Sequence, residues 1–245
     1  MSKNFELLQR VAKDDIFNFP GDPAPPARKS PFTIDSKKQL PDTEITKLVQ
    51  RLFSQTRKGS GPKVVSFSGI VRDDRSSWIC ARAGEALAEQ VDDSVCIVDA
   101  NLWSPRLHVH LAAANSIGLG EALTTKNPIQ NFAKPLRKLN LCLIPSGLVK
   151  PGIYFSAERY RERFAELREA FDYILISAPA LSRETEATLI GQLADGVVLI
   201  VEANHTRRET VRRAKEQLES AQVRVLGAVL DQRTFPIPER LYRRL

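Results

Sequence analysis

The sequence predicts an α/β protein, a doubly wound, mostly parallel sheet flanked by helices on both faces. Three observations carry this prediction. Short runs rich in apolar and β-branched residues recur at 64–69, 94–100, 140–145, 173–179, 195–203 and 223–231. These runs are continuously apolar rather than alternating, as in strands covered on both faces. Amphipathic stretches of helix length separate them at 77–90, 156–171, 184–193 and 206–221. Strands alternating with such helices require right-handed crossovers and therefore parallel pairing.

Each element follows in order. Residues 1–17 place Phe5, Leu8, Val11 and Ala12 on one helical stripe, which reads as a short amphipathic helix that docks on its own domain or, the favoured reading, on a partner. Residues 18–42 hold Pro20, Pro23, Pro25, Pro26, Pro31 and Pro41 among polar residues, a linker that cannot build a core. The helix at 43–55 is capped by Asp42 or Thr43 and spaces Ile45, Leu48, Val49 and Leu52 along one face. KGSGP, residues 58–62, ends it. The main domain runs over 43–235, and a basic tail over 236–245 closes the chain.

Composition narrows the function classes. The 245 residues are 42% hydrophobic and 27% charged, the balance of a soluble globular protein. No window holds 18 consecutive apolar residues, so no membrane-spanning helix is expected. MSKNFELLQRVAKDD has no apolar core followed by a small-residue cleavage site; it is not a secretory signal, and the protein is placed in the cytoplasm. Cys80, Cys96 and Cys142 sit in apolar contexts without ligand spacing and read as buried free thiols. His108 and His110 are two apart, so they would not share a helical face as a ligand pair. The net charge is +7, and residues 1–62 carry eleven Lys and Arg against seven Asp and Glu. That excess reads as a solvated basic surface, or as one drawn to an acidic partner or an anionic membrane face. No aromatic residues alternate with the basic ones, which argues against a nucleic-acid stacking platform.

Ligands in such sheets bind beyond the carboxyl ends of the strands. The tips to inspect are 69–77, 99–108, 145–152, 177–184 and 202–207. The first tip joins a strand ending SFSG to a helix reading ICARAGEALAEQ, and CIVDANLWSPRLH follows. Later come FDYILISAPA, LADGVVLIVEANHTRRETVRRA and VLGAVLD. Over about residues 43–231 this order resembles the cytoplasmic domain of bacterial tyrosine kinases of capsule and exopolysaccharide synthesis. Those kinases belong to the MinD/ParA-type P-loop ATPases. VDANLWSPRLH is the most specific segment, because the kinases carry a similar Asp-Ala-Asp-Leu, basic, Pro, Arg, Leu, His run. The resemblance implies a P-loop NTPase-like sheet. It also implies an oligomer contact of Glu-x-x-Arg-x-x-Arg form, read here as Glu44, Lys47 and Gln50 with Arg51 following.

The same alignment exposes departures. The family's phosphate loop reads roughly Ser-Ala-x-Pro-Gly-Glu-Gly-Lys-Ser-Thr. Here Asp73 and Arg75 stand at the loop glycines, Ser76 at the lysine, and Ser77 keeps a hydroxyl where magnesium needs one. Side chains at those glycines obstruct the approach of backbone to phosphate, and the lysine's charge is missing. A one-residue slip would put Arg75 in the lysine's place, at the expense of the helix pattern. The metal carboxylate of the family's Val-Ile-Ile-Asp-Thr-Pro-Pro strand falls at Ser177, a feeble magnesium ligand. Asp99 is the remaining acidic candidate; either it caps or pairs with Arg106, or it still serves a nucleotide site. Asn101 stands at the family's next aspartate, and Asp231 where an asparagine often lies near the base. The run of carboxyl-terminal tyrosines is absent, leaving Tyr242 alone there, while Tyr154, Tyr160 and Tyr173 read as packing residues.

The leading expectation is therefore a pseudokinase with a degenerate phosphate loop, an adaptor or regulator in exopolysaccharide or capsule biosynthesis. Its remnant nucleotide site would comprise Arg75, Ser76, Ser77 and Asp99. No catalytic residue is assigned beyond Asp99 as a candidate. No metal site is assigned beyond Ser77 and Ser177 at the former magnesium positions. The site would hold no cofactor, or ATP and magnesium weakly. By resemblance, the partner is a membrane-embedded chain-length regulator of polysaccharide export, which would bring the chain to the inner face of the membrane. Two alternatives stand beside this: an active ATP-dependent tyrosine kinase or ATPase with an unusual loop, and a partitioning-type protein binding DNA through Arg207, Arg208, Arg212 and Arg213.

Overall fold

The structure, a computed structural model, describes residues 42–54, 61–71, 75–136, 140–149, 155–182 and 185–232. The expected helix over 1–17, the linker up to residue 41 and the tail over 236–245 lie outside the described residues.

Seven strands form one sheet in the order β3-β4-β2-β5-β1-β6-β7. They are β1 (Val64–Gly69), β2 (Val95–Asp99), β3 (Lys134–Pro135), β4 (Leu141–Ile144), β5 (Tyr173–Ser177), β6 (Gly196–Glu202) and β7 (Val225–Asp231). All neighbours pair in parallel except β3 with β4. The described α-helices are α1 (Asp42–Phe53), α2 (Arg75–Ala88), α3 (Leu107–His110), α4 (Leu119–Thr124), α5 (Ala157–Ala170), α6 (Thr185–Leu193) and α7 (Arg208–Ser220). None of them is long and apolar enough to cross a membrane.

The unbroken apolar runs have a direct physical cause. Successive strand residues point to opposite faces, and here both faces are covered. Val65, Phe67, Val95, Ile97, Leu175, Val198 and Ile200 join α1 and α2 in one core. Val64, Cys96, Val98, Ile174 and Ile176, one residue out of step, pack under α4 and α5. Val197, Leu199 and Val201 meet Ala214 and Leu218 of α7 on that second side. Residues of β1, β2 and β5 are thus buried whichever way they point, whereas the edge strand β7 is mostly half-buried or exposed. The α1 helix buries Ile45, Val49 and Phe53 at the spacing read from the sequence, and Phe53 meets the Tyr173 ring edge-on at 5.6 Å.

Four elements were not expected: β3, α3, α4 and a 3-10 turn over Ile129–Phe132. Each has six residues or fewer, too short for its periodicity to register against background. Residues 107–135 therefore carry an ordered excursion between β2 and β4 where the sequence shows only spacing. Gly118 is required there by close approach, since a Cβ on it would lie 1.9 Å from the Pro145 carbonyl oxygen.

Candidate functional site

The carboxyl ends of β2, β5 and β1 lie side by side, and they bring together residues far apart in sequence. The chain stays tied to its neighbours just past the end of β1. Ile70 donates its N–H to the Ile200 carbonyl at 3.2 Å, and the carbonyls of Gly69 and Ile70 accept from Leu181 and Ser182. The Ile70 side chain is buried. The bend at Ile70 and Val71 that follows β1 is therefore held against β6 and the segment after β5.

The α2 helix opens at Arg75, and no acidic residue stands in its first turn. The Arg75 guanidinium forms a two-pronged pair with Asp231 at the end of β7, Nε to Oδ2 at 2.5 Å and Nη2 to Oδ1 at 2.9 Å. The Asp231 side chain is only 1% exposed and that of Arg75 16%. The guanidinium also lies 4.8 Å from the Trp78 ring centroid, a cation–π contact one turn along the same helix. Nothing in the sequence signals this pair, because 156 residues separate its members.

Ser76 and Ser77 are buried at the start of α2. The Ser177 hydroxyl donates to the Ser77 hydroxyl at 3.2 Å, both buried. Ser177 stands opposite Asp99 in the β5–β2 register. Asp99 is fully buried, and its carboxylate accepts three backbone N–H groups: Asn101 at 3.3 Å on Oδ1, then Arg106 at 3.1 Å and Leu107 at 3.0 Å on Oδ2. It thereby closes the β2–α3 turn and caps α3 through backbone amides. Burial raises its pKa to about 7, against the downward pull of the N–H groups of Leu107, Asn101 and Arg106. Asn101 is built into the same turn, accepting the Ser104 N–H at 3.2 Å.

The fold class implies a nucleotide with magnesium, and these residues fit that group poorly. Magnesium sites use one or two carboxylates beside phosphate oxygens. Ser77 and Ser177 offer hydroxyls that already bond each other, and both Asp99 oxygens are engaged by backbone amides. Among the described residues no group of three or more His, Cys, Asp or Glu could hold a metal. A cavity of about 440 Å³ opens at the carboxyl end of β6, lined by Val201, Asn204, Thr206, Arg208, Val211 and Leu230 among others. Arg75, Ser76, Ser77, Asp99 and Ser177 do not line it.

No family model matches the chain. It is 25% identical over 171 residues to the tyrosine-protein kinase YwqD of Bacillus subtilis, covering 69% of this chain and 72% of that protein. It is 27% identical over 137 residues to the putative tyrosine-protein kinase CapB of Staphylococcus aureus, covering 55% and 60%. The succinoglycan biosynthesis transport protein ExoP of Rhizobium meliloti is 24% identical over 86% of this chain, which spans 27% of that protein. Among solved structures, the chimerical protein CapA2B2 superposes with a TM-score of 0.70 at 18% identity, over 82% of this chain and 88% of that one. The cell division protein MinD of Aquifex aeolicus gives 0.59 at 20%, over 74% and 72%. The expected fold and the resemblance to bacterial tyrosine kinases both stand.

Proposed function

We propose that this chain, whose relatives are bacterial tyrosine-protein kinases of capsule and exopolysaccharide systems, acts in such a system as an adaptor or regulator that does not turn over ATP. One observation carries the reading: the positions aligned with the family's metal ligands are two serines hydrogen-bonded to each other. Beside them, the arginine at the helix start is held by a buried carboxylate. A triphosphate needs donors and a metal aimed at its oxygens. Here those groups are replaced or engaged within the protein. Only residues 72–74 connect Val71 to α2, and Asp73 and Asp74 add negative charge there. The partner suited to this role is a membrane-embedded regulator of polysaccharide chain length; the role of the similar protein ExoP, succinoglycan biosynthesis transport, is consistent with such a setting. Self-association through Glu44, Lys47 and Gln50 of α1 belongs to the same reading; Glu44 and Lys47 are exposed and pair with each other.

A nucleotide-using alternative has one favourable observation, the retained Asp99 beside Ser77 and Ser177. DNA binding has less support. Arg212 pairs with Glu209 and Glu216, and Arg213 with Glu209, so α7 carries a neutralised ladder rather than a basic stripe. Calorimetric titration with ATP and magnesium decides between the readings. The native chain should give no binding heat, and a variant carrying Asp73→Gly, Arg75→Gly, Ser76→Lys and Ser177→Asp should bind. Tight binding by the native chain, with transfer of phosphate to tyrosine, would establish the enzyme instead.

A further inference from the structure

Two of the three cysteines, 46 residues apart in sequence, meet in the sheet. Cys96 of β2 and Cys142 of β4 are direct partners in the parallel register. In-register residues on neighbouring parallel strands point to the same face, with Cα atoms about 4.8 Å apart, inside the range of about 4.4–6.8 Å that a disulfide spans. Cys96 is buried, and Cys142 is half-buried. The strand outside Cys142 is the two-residue β3, whose Pro135 lies opposite it. Cys142 therefore sits one short strand from the sheet edge, and Cys96 lies deeper beside it. Cys80 lies apart, buried on α2.

We propose that Cys96 and Cys142 form a redox-reactive dithiol, with Cys142 the thiol that meets a hydroperoxide and Cys96 the thiol that resolves it. The proposal does not depend on whether the nucleotide site works. The electrostatics agree with the division of roles. The hydrogen bond from Cys96 holds Cys142 below the usual thiol range, against the opposing effect of burial. Burial pushes Cys96 well above it. Reactive thiols combine a lowered pKa with access, and sensors add a neighbouring resolving cysteine.

The chemistry balances with peroxide as the oxidant. The Cys142 thiolate attacks one peroxide oxygen, the O–O bond breaks, and hydroxide leaves to become water with a proton from solvent. Cys142 is then a sulfenic acid, oxidised by two electrons. Cys96 gives up its proton and attacks the Cys142 sulfur; the S–O bond breaks, and a second water departs with that proton. One peroxide has been reduced to two waters, and two thiols have become one disulfide.

The test uses the full-length, fully reduced chain and hydrogen peroxide. After brief exposure the protein is denatured, alkylated with N-ethylmaleimide, digested and weighed. The expected result is an intact mass 2 Da lower before alkylation, and, after alkylation and digestion, peptides carrying Cys96 and Cys142 joined, with Cys80 alkylated. With Cys96→Ser, dimedone should trap a sulfenic acid on Cys142 at least about tenfold more than on Cys80. With Cys142→Ser, no disulfide should form within the chain. Absence of the Cys96–Cys142 link in the native chain at peroxide levels that oxidise free cysteine overturns the proposal. So does a link through Cys80.

Discussion

Arg75 and Asp231 form a contact whose energetics are asymmetric. An intact buried pair offsets its own desolvation, whereas removing one partner strands a charge and costs on the order of 3–5 kcal/mol. Asp231 is the more buried member, so Arg75→Ala should destabilise the chain by roughly 3 kcal/mol in urea unfolding. The double variant Arg75→Met, Asp231→Leu should recover most of that loss, and a double-mutant cycle gives the coupling directly. Asp99 acts through its proton. Its folded pKa is raised to about 7, so its contribution is greatest when it is protonated. That contribution is full below the unfolded carboxylate value and is lost as pH rises through about 7. His108 works in the opposite sense, because burial and then Arg106 hold its pKa down. The informative quantity is therefore the difference between the native chain and Asp99→Asn, followed by unfolding midpoints from pH 4.5 to 8. Destabilisation between pH 5 and 7 should be steeper in the native chain than in Asp99→Asn. Equal slopes would mean that Asp99 does not titrate there.

At the scale of elements, the α2–β2 contact is a close fit of helix to sheet beside the site. A Cβ on Gly84 would lie 2.4 Å from Ile97 Cδ1 and 2.6 Å from Cγ1. Glycine is thus present for space, despite its helix cost of about 1 kcal/mol. Gly84→Ala should lose about 1–3 kcal/mol through overpacking, and adding Ile97→Val should return part of it. Thermal unfolding of the two variants measures both effects. The same contact sets the level of α2 on the sheet, and with it the position of Arg75 and Ser77. The sheet edge follows a different rule. β3 is two residues long and includes Pro135, a combination that limits pairing with other chains.

Across the whole molecule, the end opposite the candidate site is tied by one carboxylate. Asp195, just before β6, accepts the backbone N–H groups of Lys63 and Val64 at 2.7 Å each and the Arg168 guanidinium at 2.7 Å. It joins the starts of β1 and β6 to α5. Burial pushes its pKa up, but the Arg168 hydrogen bond and the two backbone donors outweigh this and hold it below the ordinary range. Its stabilisation is present above the unfolded carboxylate pKa and is lost as pH falls through the lower folded value. Asp195→Ala should cost roughly 2 kcal/mol at neutral pH and remove part of the acid-induced loss of stability, both read from urea unfolding at pH 3 to 7.

The sequence by itself determined the sheet. Six of its seven strands begin and end within two residues of the apolar runs, and β1 matches its run from Val64 to Gly69. Burial on both faces leaves an unbroken apolar signature, and helices of nine residues or more show their period. The aligned positions of Asp99, Ser77 and Ser177 were also legible, because strand ends fix where such residues must lie. Only the tertiary structure decided what those residues touch. The Ser77–Ser177 bond, the Arg75–Asp231 pair and the Cys96–Cys142 adjacency each join residues 46 or more positions apart. Strand order sets which of them meet, and that order is a property of how crossovers pack rather than of local pattern. The short elements between β2 and β4 escaped for a related reason: their few residues are held by contacts with the rest of the fold, not by a periodicity of their own.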